Sequence, residues 1–348
     1  MTRNVVGRLG YAGLSVLIGT AVLGCAGQDI GVFKPLKEVL LMKEPIRIGI
    51  NRVQLNPVDA PWGRFARALQ KKLGTPVQVI YEEPFQIRSQ LSRGYLDFAI
   101  LSATDYAEVG GENCVLLAKP VNTFGQTSRH ALIIVKKESR IQNVADLKGQ
   151  RFAFGPRGDA TCDLAAKYCL MQAGLGPGDL QKELLPPPLA GHHLNSFEVA
   201  KAVANEPVAA GSVDQLAYAS WPEKGVPIIK ATPVAGFLQM VSKDRFRVIA
   251  NTITLPEGPI VASSKADAAM VTAVKEYLLS GEIPETALKP MDWRGFVAVE
   301  AGEYDHVAAM LRQLREAGWL KEQTPLPPEP APAEELAPPT QAAETQPM

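Results

Sequence analysis

The strongest constraint on this chain is an alternation of two hydrophobic periods that begins at Ile46 and is then repeated. "IRIGI" at 46–50 alternates at period two, as a half-buried strand does. "APWGRFARALQKKLG", closing at Gly74, spaces its apolar residues at three and four, as an amphipathic helix does. "VQVIY" at 77–81, "FQIRSQLSRG" and "YLDFAIL" at 95–101 continue as strand, helix and strand. A second run opens with "HALIIVKK" at 130–137 and passes through "VADLKG" at 144–149 and "RFAFG" at 151–155. It enters a helix bearing Cys162 and Cys169, then continues through "NSFEVAKAVAN" and "VAAGSVD". Strands alternating with helices specify α/β sheets, and two such runs predict two lobes. From about Phe246, "FRVIAN", "GPIVASS", "KADAAMVTAVKEYLLSG" and the helix "YDHVAAMLRQLREAGWL" (304–320) supply a return of chain that completes the first lobe.

The ends have a different character. Arg3 and Arg8 precede an uncharged stretch from Leu9 through Gln28, which contains "VLGC" at 22–25. A basic start, an apolar core and small residues before a cysteine describe an export signal. The ending resembles a bacterial lipobox, which makes residues 1–24 a lipoprotein signal peptide, Cys25 the lipid-modified first residue and 25–44 a linker. The alternative is an uncleaved membrane anchor, for which the stretch is just long enough. Both place the folded part outside the cytoplasmic membrane, periplasm-facing in a Gram-negative cell. Residues 322–348 carry eight prolines, five acids and no Lys or Arg, the composition of a tail without a core. The predicted organisation is lobe 1 from 45–128 plus about 230–321, lobe 2 from 129–229, and the Pro-rich tail.

Charge and cysteines exclude several classes. The 36 basic and 36 acidic residues cancel, and losing the two arginines of 1–24 leaves 34 − 36 = −2. No basic bias points to nucleic acid. Cys162 and Cys169 are seven apart on one helix, about 10 Å at 1.5 Å per residue, beyond disulfide reach. Cys114 either pairs with one of them or all stay free. No haem-attachment or zinc spacing is present, so neither metal nor cofactor is expected. No GxSxG, HExxH or GxxxxGK[ST] motif occurs, and the chain is not expected to be an enzyme.

The segment "FAFGPRGDATCDLAAKYCLMQAG" (152–174) runs from an apolar strand through a glycine-rich turn into a helix. Exposed helix N-termini offer unsatisfied N–H groups that stabilise oxyanions. Gly155, Gly158 and the amides around Thr161–Asp163 therefore form a candidate cradle, with the Thr161 hydroxyl as a further donor. Asp159 and Asp163 either cap the helix or select a ligand that brings a proton or an amine. Arg157 either contacts ligand or is solvated. Asn195 with Glu198 reads as an N-cap and N3 pair at a second helix start; the nearby His192 and His193 read as surface or hinge residues.

"IRIGI", "GYLDFAILSATDYA" (94–107), "VKKESRIQNVADLKGQRFAFG" (135–155) and "AAGSVD" (209–214), in this order behind a signal sequence, resemble the PhnD-like phosphate, phosphite and phosphonate-binding proteins of ABC transporters. The resemblance implies a bilobed periplasmic-binding-protein-like α/β fold, closing on a small oxyanion. It also implies partnership with a membrane permease and its ATPase subunit, and a monomeric chain. A sensory adaptor for a membrane receptor, or a receptor for an organic cation or amphoteric metabolite, is the alternative. By position, the resemblance puts Ser102, Thr104 and Tyr106 in a first-lobe ligand loop, Thr127, Ser128 and Arg129 in a crossover and contact region, and Asn195 and Ser196 at a ligand-facing helix start. The chain departs from the family in two places. Asn51–Arg52 replaces a Pro-Tyr pair, with Arg52 a possible source of charge. Ala160, Thr161, Cys162 and Asp163 stand opposite a Ser-Thr-Ser-Gly run, which loses two hydroxyls and adds a carboxylate.

Overall fold

The computed structural model describes residues 43–51, 61–184, 192–205, 207–224 and 241–320. The expectations for the export segment with Cys25, the linker before residue 43, Arg52 and the proline-rich tail lie outside the described residues. Among the described residues no helix is long and apolar enough to cross a membrane.

The first sheet begins with β1 (Ile46–Asn51), β2 (Val77–Glu82), β3 (Phe98–Ile100) and β4 (Cys114–Asn122). Helices α1 (Pro61–Leu73), α2 (Pro84–Arg93) and α3 (Ala103–Val109) connect them. β1 lies between β2 and β3 with both pairings parallel. Two crossover helices permit this, and the strands' buried isoleucines reflect cover on both faces.

The second sheet is built from β6 (Ala131–Lys136), β7 (Arg151–Ala153), β8 (Lys182–Leu184), β9 (Ala210–Asp214) and β10 (Phe246–Asn251), in the order β10-β6-β9-β7-β8. Its helices are a π-helical turn (Ala160–Ala165) running directly into α4 (Ala166–Gln172), then α5 (His192–Ala204) and α6 (Gln215–Ser220). Every residue of β9 is buried, so the run "AAGSVD" is an interior strand.

Between the sheets, β5 (Ser128–Arg129) pairs antiparallel with β11 (Leu255–Pro256). β12 (Ile260–Ser263) then inserts between β3 and β4, and β13 (Trp293–Val297) adds to β4, completing a six-stranded sheet. The return to the first lobe therefore comes at β11, not at about residue 230. β10 pairs with β6 and belongs to the second sheet. The remaining helices are α7 (Ala268–Leu279), α8 (Glu285–Leu288) and α9 (Asp305–Glu316).

α9 serves both lobes. Its amphipathic face buries Val307, Met310, Leu311 and Leu314 in one core with Tyr106 of α3 and with Phe152, Phe154 and Leu170 of the second lobe. Arg315 pairs with Glu108, and the Tyr168 hydroxyl donates to Gln313 Oε1 at 3.3 Å. Each fully buried Leu or Phe contributes about 1.5–3 kcal/mol, so this helix is a substantial apolar link between the lobes. Cys114, Cys162 and Cys169 are free thiols.

Candidate ligand-binding cleft

β1, β2 and β3 are parallel and end at one edge of the first sheet, at Asn51, Glu82 and Ile100. β7 and β9 are likewise parallel; β7 ends at Ala153, opposite Gly211, and β9 runs on to Asp214. In open α/β sheets ligands bind outside such carboxyl ends, and the β5–β11 pair connects these two edges. The connection is tight. A Cβ on Gly258 would lie 2.0 Å from the Leu101 carbonyl oxygen, so only glycine fits beside the loop that carries Ser102.

On the first-lobe edge Ser102 caps α3. Its Oγ accepts from Asp105 N at 3.0 Å, donates to Asp105 Oδ2 at 2.7 Å and lies 3.0 Å from Thr104 Oγ1. Asp105 is in turn ion-paired with Arg88 of α2. Thr104 is buried.

The second-lobe loop meets its helix at very short range. Gly155 N donates to the Cys162 carbonyl at 2.9 Å, and a Cβ on Gly155 would lie 2.5 Å from that of Cys162. Asp159 caps the helix: its Oδ1 receives Thr161 N at 3.0 Å, Thr161 Oγ1 at 3.0 Å and Cys162 N at 2.7 Å. Leu164 N reaches back to the Asp159 carbonyl at 2.9 Å, the i to i+5 bond of a π turn. Asp163, fully buried, takes Gly158 N on Oδ2 at 2.7 Å and pairs through Oδ1 with Lys167 Nζ at 2.8 Å. Burial pushes the Asp163 carboxyl up, although Lys167 and the Gly158 amide pull the other way. Burial, reinforced by Asp159 and Asp214, raises the Cys162 thiol well above its ordinary range, leaving it a neutral small hydrophobe. The N–H groups that the sequence offers to an oxyanion are thus taken within the chain: Thr161, Cys162 and Gly158 by carboxylates, Gly155 and Asp163 by backbone carbonyls.

Beside this loop sits a buried charge cluster that the sequence reading missed. Arg129 grips Glu257 with Nε at 3.0 and 3.1 Å from the two carboxylate oxygens and Nη2 at 3.0 Å. Its Nη1 lies 3.6 Å from Asp214 Oδ2. Burial opposes the guanidinium charge, but Glu257 and Asp214 outweigh it and keep the group protonated. Asp214 caps α6, with Oδ1 taking Leu216 N at 2.8 Å and Ala217 N at 3.2 Å. Its Oδ2 is buried and receives no hydrogen bond. Counting these groups, Asp159, Asp163, Asp214 and Glu257 against Arg129 and Lys167 gives 2 − 4 = −2.

Residues 55–304 match the profile of a family described as ABC transporter, phosphonate, periplasmic substrate-binding protein. The chain belongs to this family. It is a solute-binding protein of the ABC-transporter type, and its fold recurs in solved structures. A Xanthomonas citri protein solved with ATP superposes with TM-score 0.61 at 16% identity, covering 79% of this chain and 99% of that one. A binding-protein component of a Pseudomonas aeruginosa ABC phosphonate transporter gives 0.60 at 16%, over 79% and 88%. PhnD1 from Prochlorococcus marinus, in complex with methylphosphonate, gives 0.60 at 16%, over 78% and 99%.

In this binding protein the expected site residues divide into three groups. Asp159, Thr161, Cys162 and Asp163 meet at the loop, with Arg129 close enough to feel Asp159. Ser102 and Thr104 stand at the other lobe's edge. Most of the rest make contacts within the fold. Tyr106 is a core residue, its ring 4.7 Å from that of Tyr304. Thr127 gives its carbonyl to Glu257 N at 2.9 Å and Ser128 lies in the crossing pair. Arg129 is bound to two carboxylates, Glu257 and Asp214. Arg157 is exposed. Asn195 does not cap α5, which starts three residues earlier at His192; it is buried within the first turns. Ser196 accepts Asp214 N at 2.9 Å and so supports that aspartate from behind. Asp214 ends the landmark "AAGSVD", a signal that was present in the sequence; Glu257 had none.

Proposed function

We propose that the chain is the extracytoplasmic receptor of an ABC importer, held at the membrane by lipid on Cys25, and that its solute carries a positively charged nitrogen. Such a solute is an organic cation or an amphoteric metabolite. The observation that carries this reading is that the Thr161 and Cys162 amides and the Thr161 hydroxyl already serve Asp159, close to the buried carboxylates Asp163 and Asp214. Two like charges about 4 Å apart repel by about 4 kcal/mol at an effective dielectric near 20. A dianion has no evident compensation here, whereas an ammonium supplies the donors that carboxylates need. Lobe closure requires contacts that are better in the closed state than in the open one, and the permease with its ATPase subunit reads the closed form. No bond is broken in this scheme.

Family membership and the methylphosphonate held by PhnD1 favour a second reading, in which the solute is a phosphonate, phosphite, phosphate or similar small oxyanion. Titration calorimetry separates the two. The full chain in detergent is titrated with ethanolamine, choline and 2-aminoethylphosphonate, then with phosphate, phosphite and methylphosphonate. One-to-one micromolar binding of a nitrogen-bearing compound alone is the expected result. Tight binding of a nitrogen-free oxyanion, with no heat from the amines, would install the second reading.

A further inference from the structure

The helical segment after β7 is continuous from Ala160 through Gln172, and its opening amides do not face open space. Three donors, Thr161 N, Thr161 Oγ1 and Cys162 N, converge on one oxygen at 2.7–3.0 Å. That is the geometry in which fixed donors hold an oxyanion. The oxygen belongs to Asp159, a residue of the loop itself. A neighbouring donor, Gly158 N, is taken by Asp163 in the same manner.

A separate observation says what this wall lacks. Asp214 Oδ2 is buried and receives no hydrogen bond, with Arg129 Nη1 standing off at 3.6 Å. A buried carboxylate oxygen that receives no hydrogen bond has room for a donor. An acceptor is therefore open on this wall, while the donors of Gly158, Thr161 and Cys162 are already taken.

We infer that Asp159 is the specificity-determining residue of this cleft: its carboxylate occupies the oxyanion seat, bars phosphate-class ligands from it, and uncovers a working oxyanion site when removed. This rests on the proposed function only in taking the cleft as the ligand site. It adds the mechanism by which a chain of a phosphonate-binding family turns phosphonates away.

The test is a gain of function. Asp159→Gly removes the carboxylate while keeping a residue type that helix N-caps accept at small cost. Wild-type full chain and variant, both in detergent, are titrated with methylphosphonate and with inorganic phosphate; thermal melts check folding. The variant is expected to bind at least one of them about tenfold or more tighter than wild type. Equal affinities, or no heat from a folded variant at millimolar ligand, overturn the inference. Should the glycine variant not fold, Asp159→Asn takes its place; removing the charge alone is expected to give a smaller gain, and no gain overturns the inference. The amine titrations fall out independently. Wild type binding no nitrogen compound defeats the proposed function while a gain by the variant keeps the inference; the reverse pattern does the opposite.

Discussion

The two lobes meet the same local requirement with different chemistry. Each brings a strand to the cleft edge and hands over to a helix whose first N–H groups need acceptors. The first lobe uses a neutral hydroxyl, Ser102, and directs the acid of that turn, Asp105, toward Arg88. The second lobe uses a carboxylate, Asp159, adds Asp163, and keeps the balancing Lys167 behind the loop over the face of Phe154, 5.3 Å from the ring centre. The backbone solution is similar, but one edge presents hydroxyls and the other presents negative charge. The cap residue, rather than the backbone, makes that difference.

The comparison breaks most sharply at the cations. Lys167→Met leaves Asp163 buried with no counter-charge, and a loss of about 3–5 kcal/mol is expected. Arg88→Met strands an acid that water can reach, with side-chain exposures of 17% and 14% for the pair, and about 1–3 kcal/mol is expected. Urea unfolding measures both; equal losses would show that the lobes do not differ in how deeply they hide charge. Next comes the neutral cap. Ser102→Ala should lower stability by about 1 kcal/mol in a thermal melt, and an unchanged melt would show that Asp105 needs no help from Ser102.

The smallest effect is in pH dependence, and it sharpens the contrast. Burial lowers the His130 imidazole below its ordinary 6.5, with Asp214 opposing. The unfolded chain then binds the proton more readily, so stability from this group is present above pH 6.5 and is lost as pH falls below it. The raised Asp163 carboxyl has the opposite sign: its contribution is largest below 3.8 and fades as pH rises through the folded value. His130→Asn should flatten the melting temperature against pH just below 6.5, and Asp163→Asn should flatten it in the acid range. A slope unchanged in both variants would exclude these two groups as its source.

Local pattern carried the sequence reading as far as partners lay nearby. β1, β2, α1 and α2 were readable because each is a clean period bounded by turn residues. β4 was not: Lys119 and Pro120 interrupt its apolar run. In the fold that interruption falls where pairing passes from β12, last engaged at Ala118, to β13, first engaged at Lys119. "FRVIAN" was readable as a strand but not as a member of the second sheet, since its partner β6 lies more than a hundred positions away. The site follows the same rule. Asp159 as a cap was visible in its spacing to the helix. Glu257 reaches Arg129 across 128 positions, and no local signal marks such a meeting. The start of α5 was misplaced because a good capping pair at Asn195 and Glu198 sits inside a helix that begins earlier.

One consequence of α9 concerns time. A ribosome delivers the chain from its N-terminus, and strands of both sheets are available long before residue 305. The shared apolar core nevertheless stays open until Tyr304, Met310, Leu314 and Trp319 arrive. Pairings of such long sequence separation are slow to form and leave apolar surface uncovered while they wait. A chain that stops short of Tyr304 is therefore a protein with two unfinished lobes, not one finished lobe and a fragment, and quality control meets it as such.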